Sequence, residues 1–320
     1  MNCDSPTEHD NNISIGNIFI LCEGNFGHSN ATLWIIDEQG NVFEGPNNPI
    51  GDIGQSMIID NDHLFVINNG TSTIEIYVIM ENASISYLQS VNMKSSGPRE
   101  MAILNGKGYI TEWNTSSIAI LDLETFALEG TISVGGMPED IFSDGTYLYI
   151  SIIQGSDWSP SNIIQVIDPS TEGIINNFSV GYGPGQMVLS GDNLYVTNIR
   201  YNDNWEIYTG TSRINLVTEE ALIVDHGLSS TVNADIVIIN NNIYRIWGNG
   251  IVQLDDDLNI IEGSTIGDYS GLYSMAFFDE KIFLGLSDYS APDEVIVLDI
   301  NGNELGSHQV GAIPGSFAFY

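Results

Sequence analysis

A sevenfold internal repeat restricts the folds open to this chain more than any other feature. Its last copy, "PGSF" at 314–317, has counterparts in "GQSM" at 54–57, "PREM" at 98–101, "PEDI" at 138–141, "PGQM" at 184–187, "NADI" at 233–236 and "LYSM" at 272–275. The final residues of these copies are Met57, Met101, Ile141, Met187, Ile236, Met275 and Phe317, spaced 39 to 49 residues apart. Eight residues beyond six of the seven anchors stands an aromatic: Phe65, Tyr109, Tyr149, Tyr195, Tyr244 and Phe283. Phe317 has no residue eight further on. The missing partner lies at the other end of the sequence, where "NIFILCEG" places Phe19 in that slot. Seven anchors meet seven aromatics once the two ends are joined.

A third element follows in most units, an apolar run ending in Asp: "LWIID", "IAILD", "IQVID", "IVQLD" and "VIVLD". A polar turn and a weaker apolar strand come next. Each unit thus holds about four short segments rich in Ile, Val, Tyr and Phe, punctuated by Gly, Asn and Asp, with no helical period. Units of ~40–50 residues with four strands each predict an all-β, seven-bladed β-propeller with four-stranded blades. The C-terminal strand 314–320 joins the N-terminal blade and closes the ring, which removes an exposed edge. The expected organisation is a tether over 1–12 and a single propeller over 13–320.

The chain carries 42 acidic residues against 7 basic ones. A field of that sign repels phosphate backbones and argues against nucleic-acid binding. No apolar run approaches the ~18–20 residues that span a bilayer. Cys22 lies in an apolar run and reads as a small buried hydrophobe. Cys3, followed by the polar "DSPTEHDNN", resembles the N-terminal cysteine of a processed bacterial lipoprotein. Lipidation of Cys3, contact with the membrane through that anchor alone, and a monomeric body are the expectations.

Strand directions alternate within a blade, so the entry to the innermost strand a and the b–c loop share one face. The Asp-led c–d turns (Asp37, Asp122, Asp168, Asp255, Asp299) fall on the other, and their carboxylates suit turn backbone rather than chemistry. The b–c loops carry large side chains, including four of the five Trp: Trp113, Trp158, Trp205 and Trp247. Phe26, His28, Tyr201, Tyr208 and Tyr289 join them. Aromatics in polar loops offer flat contact area at low entropic cost. Of the scarce cations, Lys94, Arg99, Arg200 and Arg213 read as lying in or beside the same loops, and Arg99 and Arg200 are candidate ligand contacts.

The residue before each anchor is polar in all seven units: Ser56, Glu100, Asp140, Gln186, Asp235, Ser274 and Ser316. These should ring the channel mouth on the b–c face. The carboxylates of Glu100, Asp140 and Asp235 make a candidate Ca²⁺ site, with water in a polar channel as the alternative. No other cofactor is implied. The sequence contains no nucleophile elbow, phosphate-binding Gly-rich loop or Cys-x-x-Cys, and no catalytic constellation is visible.

"PGQMVLSGDNLYVTN", with Tyr195–Asn198 spelling "YVTN", resembles the YVTN-repeat, YncE-like seven-bladed propellers. The stretch Glu23-Gly24-Asn25-Phe26-Gly27 is similar to the first blade of a subgroup of Gram-negative surface lipoproteins. That subgroup includes cobalamin-binding propellers that work beside outer-membrane transporters. The resemblance implies an extracytoplasmic binding protein at the outer membrane or cell surface. Its ligand would be a bulky, partly flat molecule such as a corrinoid, taken up through a transporter partner. Two alternatives remain open: a Ca²⁺-dependent, lactonase-like hydrolase, and a platform for a protein or glycan.

Overall fold

The computed structural model describes residues 17–80, 84–229 and 235–320. The 1–12 tether and Cys3 lie outside the described residues. All regular structure is antiparallel β, gathered into seven separate sheets. Six sheets have four strands. The innermost strands run Pro314–Phe319, Gly54–Asp60, Pro98–Leu104, Gly136–Ser143, Pro184–Ser190, Ile236–Ile239 and Leu272–Phe278 for blades 1 to 7. Each touches the inner strand of the next blade, and the last touches the first, so the seven form a closed ring. Among the described residues no helix is long and apolar enough to cross a membrane.

Blade 6 departs from the expected four strands. It has three, Ile236–Ile239, Asn242–Trp247 and Gly250–Gln253. Its outer position is an irregular segment tied by the single bridges Ile251–Ile266 and Leu254–Ile260. The sequence there, "NIIEGSTIGDYSG", has too few alternating apolar positions to sustain a ladder.

The repeat is the imprint of the contact between blades. In every one of the seven seams the aromatic of one blade packs in a cluster with the anchor of the next. The pairs are Phe19 with Met57, Phe65 with Met101, Tyr109 with Ile141, and Tyr149 with Met187. Tyr195 with Ile236, Tyr244 with Met275, and Phe283 with Phe317 complete the circle. Five of these aromatics are buried, while Tyr195 and Tyr244, flanking the short sixth blade, are half-buried.

Ring closure runs through the C-terminal strand. Ile18 to Leu21 pair with Phe319 to Ser316 in register, and a bulge follows before Cys22 meets Pro314. Glu23 and Gly24 donate to the carbonyls of Ile313 and Ala312, at 2.8 and 3.1 Å. Phe317 and Phe319 then pack on Phe283 of blade 7. Cys22 is a buried free thiol in this seam. Deleting residues 314–320 should therefore strip blade 1 of its inner strand and leave two unpaired edges. The expected outcome is loss of the cooperative thermal transition, with aggregation seen by size-exclusion chromatography. A soluble, cooperatively melting truncation would mean that the ring closes another way.

Candidate functional site

A cavity of about 650 Å³ runs along the ring axis, walled by the inner strands. The polar residue before each anchor lies at or near the start of its inner strand, and Glu100, Asp140, Gln186, Asp235 and Ser316 line the channel, but several of these side chains also reach sideways to the next blade. Asp140 Oδ2 accepts from the Met187 amide at 2.6 Å, Gln186 Oε1 from Ile236 at 2.7 Å, and Asp235 Oδ2 from Met275 at 3.0 Å. Each donor amide belongs to the anchor of the following blade. Ser56 Oγ donates to the Arg99 carbonyl at 2.6 Å, and Ser274 Oγ to that of Pro314 at 2.5 Å. Five of the seven ring positions are thus ties between blades. Ser316 lines the cavity.

Glu100 also lines it, and burial pushes its carboxyl well above the usual carboxylate range, with the Asp140 charge adding to the rise. Burial likewise raises Asp140, against the opposing pull of its two amide donors. Asp235 is pushed up to about 7 by burial, again opposed by its amide bond. Among the described residues, no three His, Cys, Asp or Glu side chains gather closely enough to hold a metal ion. The oxygens expected to serve Ca²⁺ at Asp140 and Asp235 face backbone amides instead.

The channel mouth holds a group that the repeat pattern did not single out, one residue further toward the b–c face. Arg99 donates to Gln55 Oε1 and to Glu139 Oε1, and its guanidinium lies 4.1 Å from the Trp113 ring centre. Three polar atoms here have no hydrogen-bond partner among the described residues: Arg99 Nε, Trp113 Nε1 and Glu139 Oε2. Across the mouth, Tyr273 Oη donates to Glu23 Oε1 at 3.0 Å. Burial lifts Glu23 to about 7, partly countered by that bond. Gln55, Glu23, Glu139 and Tyr273 all line the cavity. Their position was the available signal in the sequence: two residues before an anchor, or just past the end of strand b.

Above the mouth, the b–c connections are shorter than the sequence suggests. "IQGSDWSPSN" and "IRYNDNWEIYTGTS" are long hairpins whose strands run Leu148–Gly155 to Pro160–Asp168, and Asn193–Tyr201 to Ile207–Asn215. Each pair is joined through a tight five-residue turn, Gly155–Ser159 in the first and Asn202–Glu206 in the second. In these turns Trp158 and Trp205 donate to the carbonyls of Gly155 and Asn202, each at 2.9 Å. The same turn occurs at Asp37–Asn41, Asp255–Asn259 and Asp299–Asn303, with matching backbone bonds. Its fourth residue is left-handed in all five, with φ of 79°, 67°, 61°, 65° and 83° at Gly40, Trp158, Trp205, Leu258 and Gly302. That conformation favours glycine and costs other residues about 1–2 kcal/mol. Leu258 recovers the cost by complete burial. Trp158 and Trp205 do not, being 70% and 80% exposed.

Phe26 is 83% exposed at the tip of the blade 1 turn, beside exposed His28. Asn25 Nδ2 of that turn donates to the Tyr289 carbonyl of blade 7 at 3.0 Å. Tyr289, half exposed, stands edge-on to Tyr273. Tyr201 pairs with Trp205 at 6.2 Å, and Arg200 lies over Tyr208. The four expected Trp therefore divide. Trp158 and Trp205 are exposed tips, Trp113 belongs to the mouth, and half-buried Trp247 packs against His226 and the Arg245 guanidinium. Arg213, expected beside the b–c loops, lies at the far end of its strand and bonds the Asp256 carbonyl in a c–d turn. The lengthened strand Ile207–Asn215 carries it there. The c–d aspartates bond turn amides as expected, and these bonds help to lower Asp37, Asp122, Asp168, Asp255 and Asp299.

No protein-family model matches the chain, and no curated protein matches it. Solved structures do. A selenium-binding protein by hypothetical assignment from Sulfolobus tokodaii is 10% identical, with TM-score 0.72 over 95% of this chain and 93% of its own. A Bacteroides fragilis protein carrying a provisional 6-phosphogluconolactonase name is 13% identical, with TM-score 0.68 over 99% and 100%. Apo AztD from Citrobacter koseri is 13% identical, with TM-score 0.60 over 95% and 97%. At these identities the likeness establishes the fold, a seven-bladed propeller, and the YVTN-repeat resemblance goes no further than that.

The raised channel carboxylates set a pH dependence. The unfolded chain releases their protons near pH 4, whereas the folded state holds them up to about pH 7. Across that window the native state binds more protons, so stability falls as pH rises. The melting temperature should climb as pH is lowered from 8 to 5. A double variant, Asp140→Asn with Asp235→Asn, should flatten the climb, since an amide oxygen still accepts from the next blade but no longer titrates. Melts of the parent that are level across this range would refute the assignment.

Proposed function

We propose that this protein is a binding propeller that captures a bulky, partly flat small molecule on its b–c face, over the channel mouth. The observation that carries the reading is the pair of exposed tryptophans in glycine-favouring slots. The fold spends backbone energy at Trp158 and Trp205 without recovering it through burial, while Gly40 and Gly302 fill the same slot without strain. Strain that no burial offsets points to function. Phe26, Tyr201 and Tyr289 extend the aromatic rim, and the partnerless atoms of Arg99, Trp113 and Glu139 supply polar groups below it. His28, Arg200, Tyr208 and Trp247 flank this surface.

A corrinoid is the named candidate, in keeping with the resemblance to surface lipoproteins that bind cobalamin. In that setting Cys3 carries the lipid anchor, and the ligand passes to an outer-membrane transporter. Propellers host many activities, so the fold alone does not decide among them. The provisional lactonase name of the B. fragilis neighbour supports a second reading, lactone hydrolysis in the channel, although Glu100, Asp140 and Asp235 do not gather closely enough to hold the Ca²⁺ expected there.

Replacing Trp158 and Trp205 by Gly separates binding from folding. Each variant should melt at or above the parent temperature, because strain of about 1 kcal/mol is relieved. Cyanocobalamin binding, followed by calorimetry, should weaken at least tenfold in the double variant. Absence of cyanocobalamin binding in the parent would remove the corrinoid. A drop in melting temperature on Trp→Gly would make the tryptophans structural and remove the rim. Metal analysis and lactone turnover on the same preparation test the second reading.

A further inference from the structure

The seam between blades 5 and 6 is built unlike the others. The slot after the seam aromatic holds Ile20, Val66, Ile110, Ile150, Val196 or Leu284 in six blades, all of them buried. In blade 6 it holds Arg245, which is just as buried. Six apolar occupants of one slot mean that ring closure needs no cation there. Strand alternation along Ile207–Asn215 turns Thr209 and Thr211 toward Arg245 from the blade 5 side. His226, on Ala221–Leu228, and Trp247 flank the group. Arg245 Nη1 donates to the Gly210 carbonyl at 2.7 Å and to Thr211 Oγ1 at 2.8 Å, and Nε to the Ile246 carbonyl at 3.3 Å. Thr211, having accepted, donates its O–H to His226 Nε2 at 3.1 Å, so that nitrogen is an acceptor and the imidazole is neutral. Two groups are left over. Among the described residues Arg245 Nη2 and Thr209 Oγ1 have no partner, although Arg245 is 0% and Thr209 2% exposed.

Two buried donors without acceptors, one of them charged, select the chemistry of their partner. A water molecule would satisfy the Thr209 hydroxyl but leave the guanidinium charge unbalanced in surroundings of low polarity. Among the described residues no carboxylate balances it. Glu139 is taken by Arg99, and Asp225, beside His226 in sequence, is taken by Arg200. Burial is the one cause that shifts Arg245. The diffuse negative potential of the body favours the charge but accepts no hydrogen bond. A multivalent oxyanion calls for more donors than these two. We propose that a single monovalent anion of halide size sits in this seam, held by Arg245 Nη2 and the Thr209 hydroxyl. Room for it lies beside Gly227, the register partner of Thr209, where an added Cβ would meet no described atom within 4 Å. The acidic exterior does not forbid it, because charges farther off than about 8 Å are largely screened at physiological ionic strength, whereas the buried cation is not. This site is independent of the aromatic rim.

The test is chlorine NMR line broadening on the whole protein, with sodium chloride titrated into sodium gluconate at fixed ionic strength. The parent should broaden the chloride signal, and bromide should displace it, with an apparent dissociation constant in the millimolar range. Exchanging gluconate for chloride should also raise the melting temperature, saturating over the same range, since a ligand that binds only the native state stabilises it. Arg245→Met should abolish both effects. Should that variant fail to fold, Thr209→Val decides. It should weaken chloride binding at least threefold while holding or raising the melting temperature in gluconate, because it removes an unpaired buried hydroxyl. A merely structural Thr209 would lower that temperature and leave chloride binding unchanged. Broadening that is equal in the parent and the variants, or parent melts that superpose in chloride and gluconate, overturns the proposal.

Discussion

The structure depends on one recurring contact, the aromatic of each blade against the anchor of the next. Seven such seams carry the large buried side chains. Beside most seams lies a polar tie to the following blade, from an Asp, Gln or Ser one residue before an anchor. The apolar half supplies burial, and the polar half fixes register by holding a specific amide or carbonyl. In an open array each repeat would gain only from its neighbours, and the end repeats would need caps. Here the seventh seam, Phe283 against Phe317, joins the two ends and removes that need.

A ring held by its seams can tolerate wide variation in its loops. The five-residue turn shows this within one molecule. On the c–d face two copies carry Gly and a third buries Leu258. On the b–c face the same backbone carries exposed Trp in blades 4 and 5. Geometry and hydrogen bonds are shared, so the side chain is the variable. The frame tolerates a kilocalorie or so at each position because other interactions stabilise it.

The fold was legible because seam residues are fixed twice, by burial and by period. An anchor and an aromatic eight residues apart recur seven times, and joining the ends was required to balance them. Blade 6 was less legible, since the loss of an outer strand leaves both seam residues, Ile236 and Tyr244, in place. The site was legible by face but not by detail. Long polar stretches around Trp158 and Trp205 read as loops because the ends of these hairpins extend past the blade edge, where apolar alternation is not enforced. The polar ring showed its position but not its direction. A carboxylate at a strand start can face an axis or the neighbouring amide, and only inter-blade distance decides. Glu23, Gln55, Glu139 and Tyr273 carry no repeat signature of their own, because two residues before the anchor the polarity varies from blade to blade and Glu23 lies past the end of strand b.

Arg245 illustrates how the whole charge distribution shapes one buried site. It is fully buried between blades 5 and 6, in a slot held by Ile, Val or Leu elsewhere. Its Nη1 donates to the Gly210 carbonyl at 2.7 Å and to Thr211 Oγ1 at 2.8 Å, and among the described residues it forms no ion pair. A lone buried guanidinium ordinarily costs several kcal/mol. Burial lowers it only to about 10, so it stays charged at neutral pH. The same surroundings push neighbouring His226 down to about 4, through burial first and the Arg245 charge second, and hold it neutral. One cation is therefore kept and a second refused. A body with 42 acidic residues provides a diffuse negative potential that favours the first, and the local repulsion between two adjacent cations excludes the other. Trp247 packs against both and is half-buried, apart from the exposed Trp158 and Trp205.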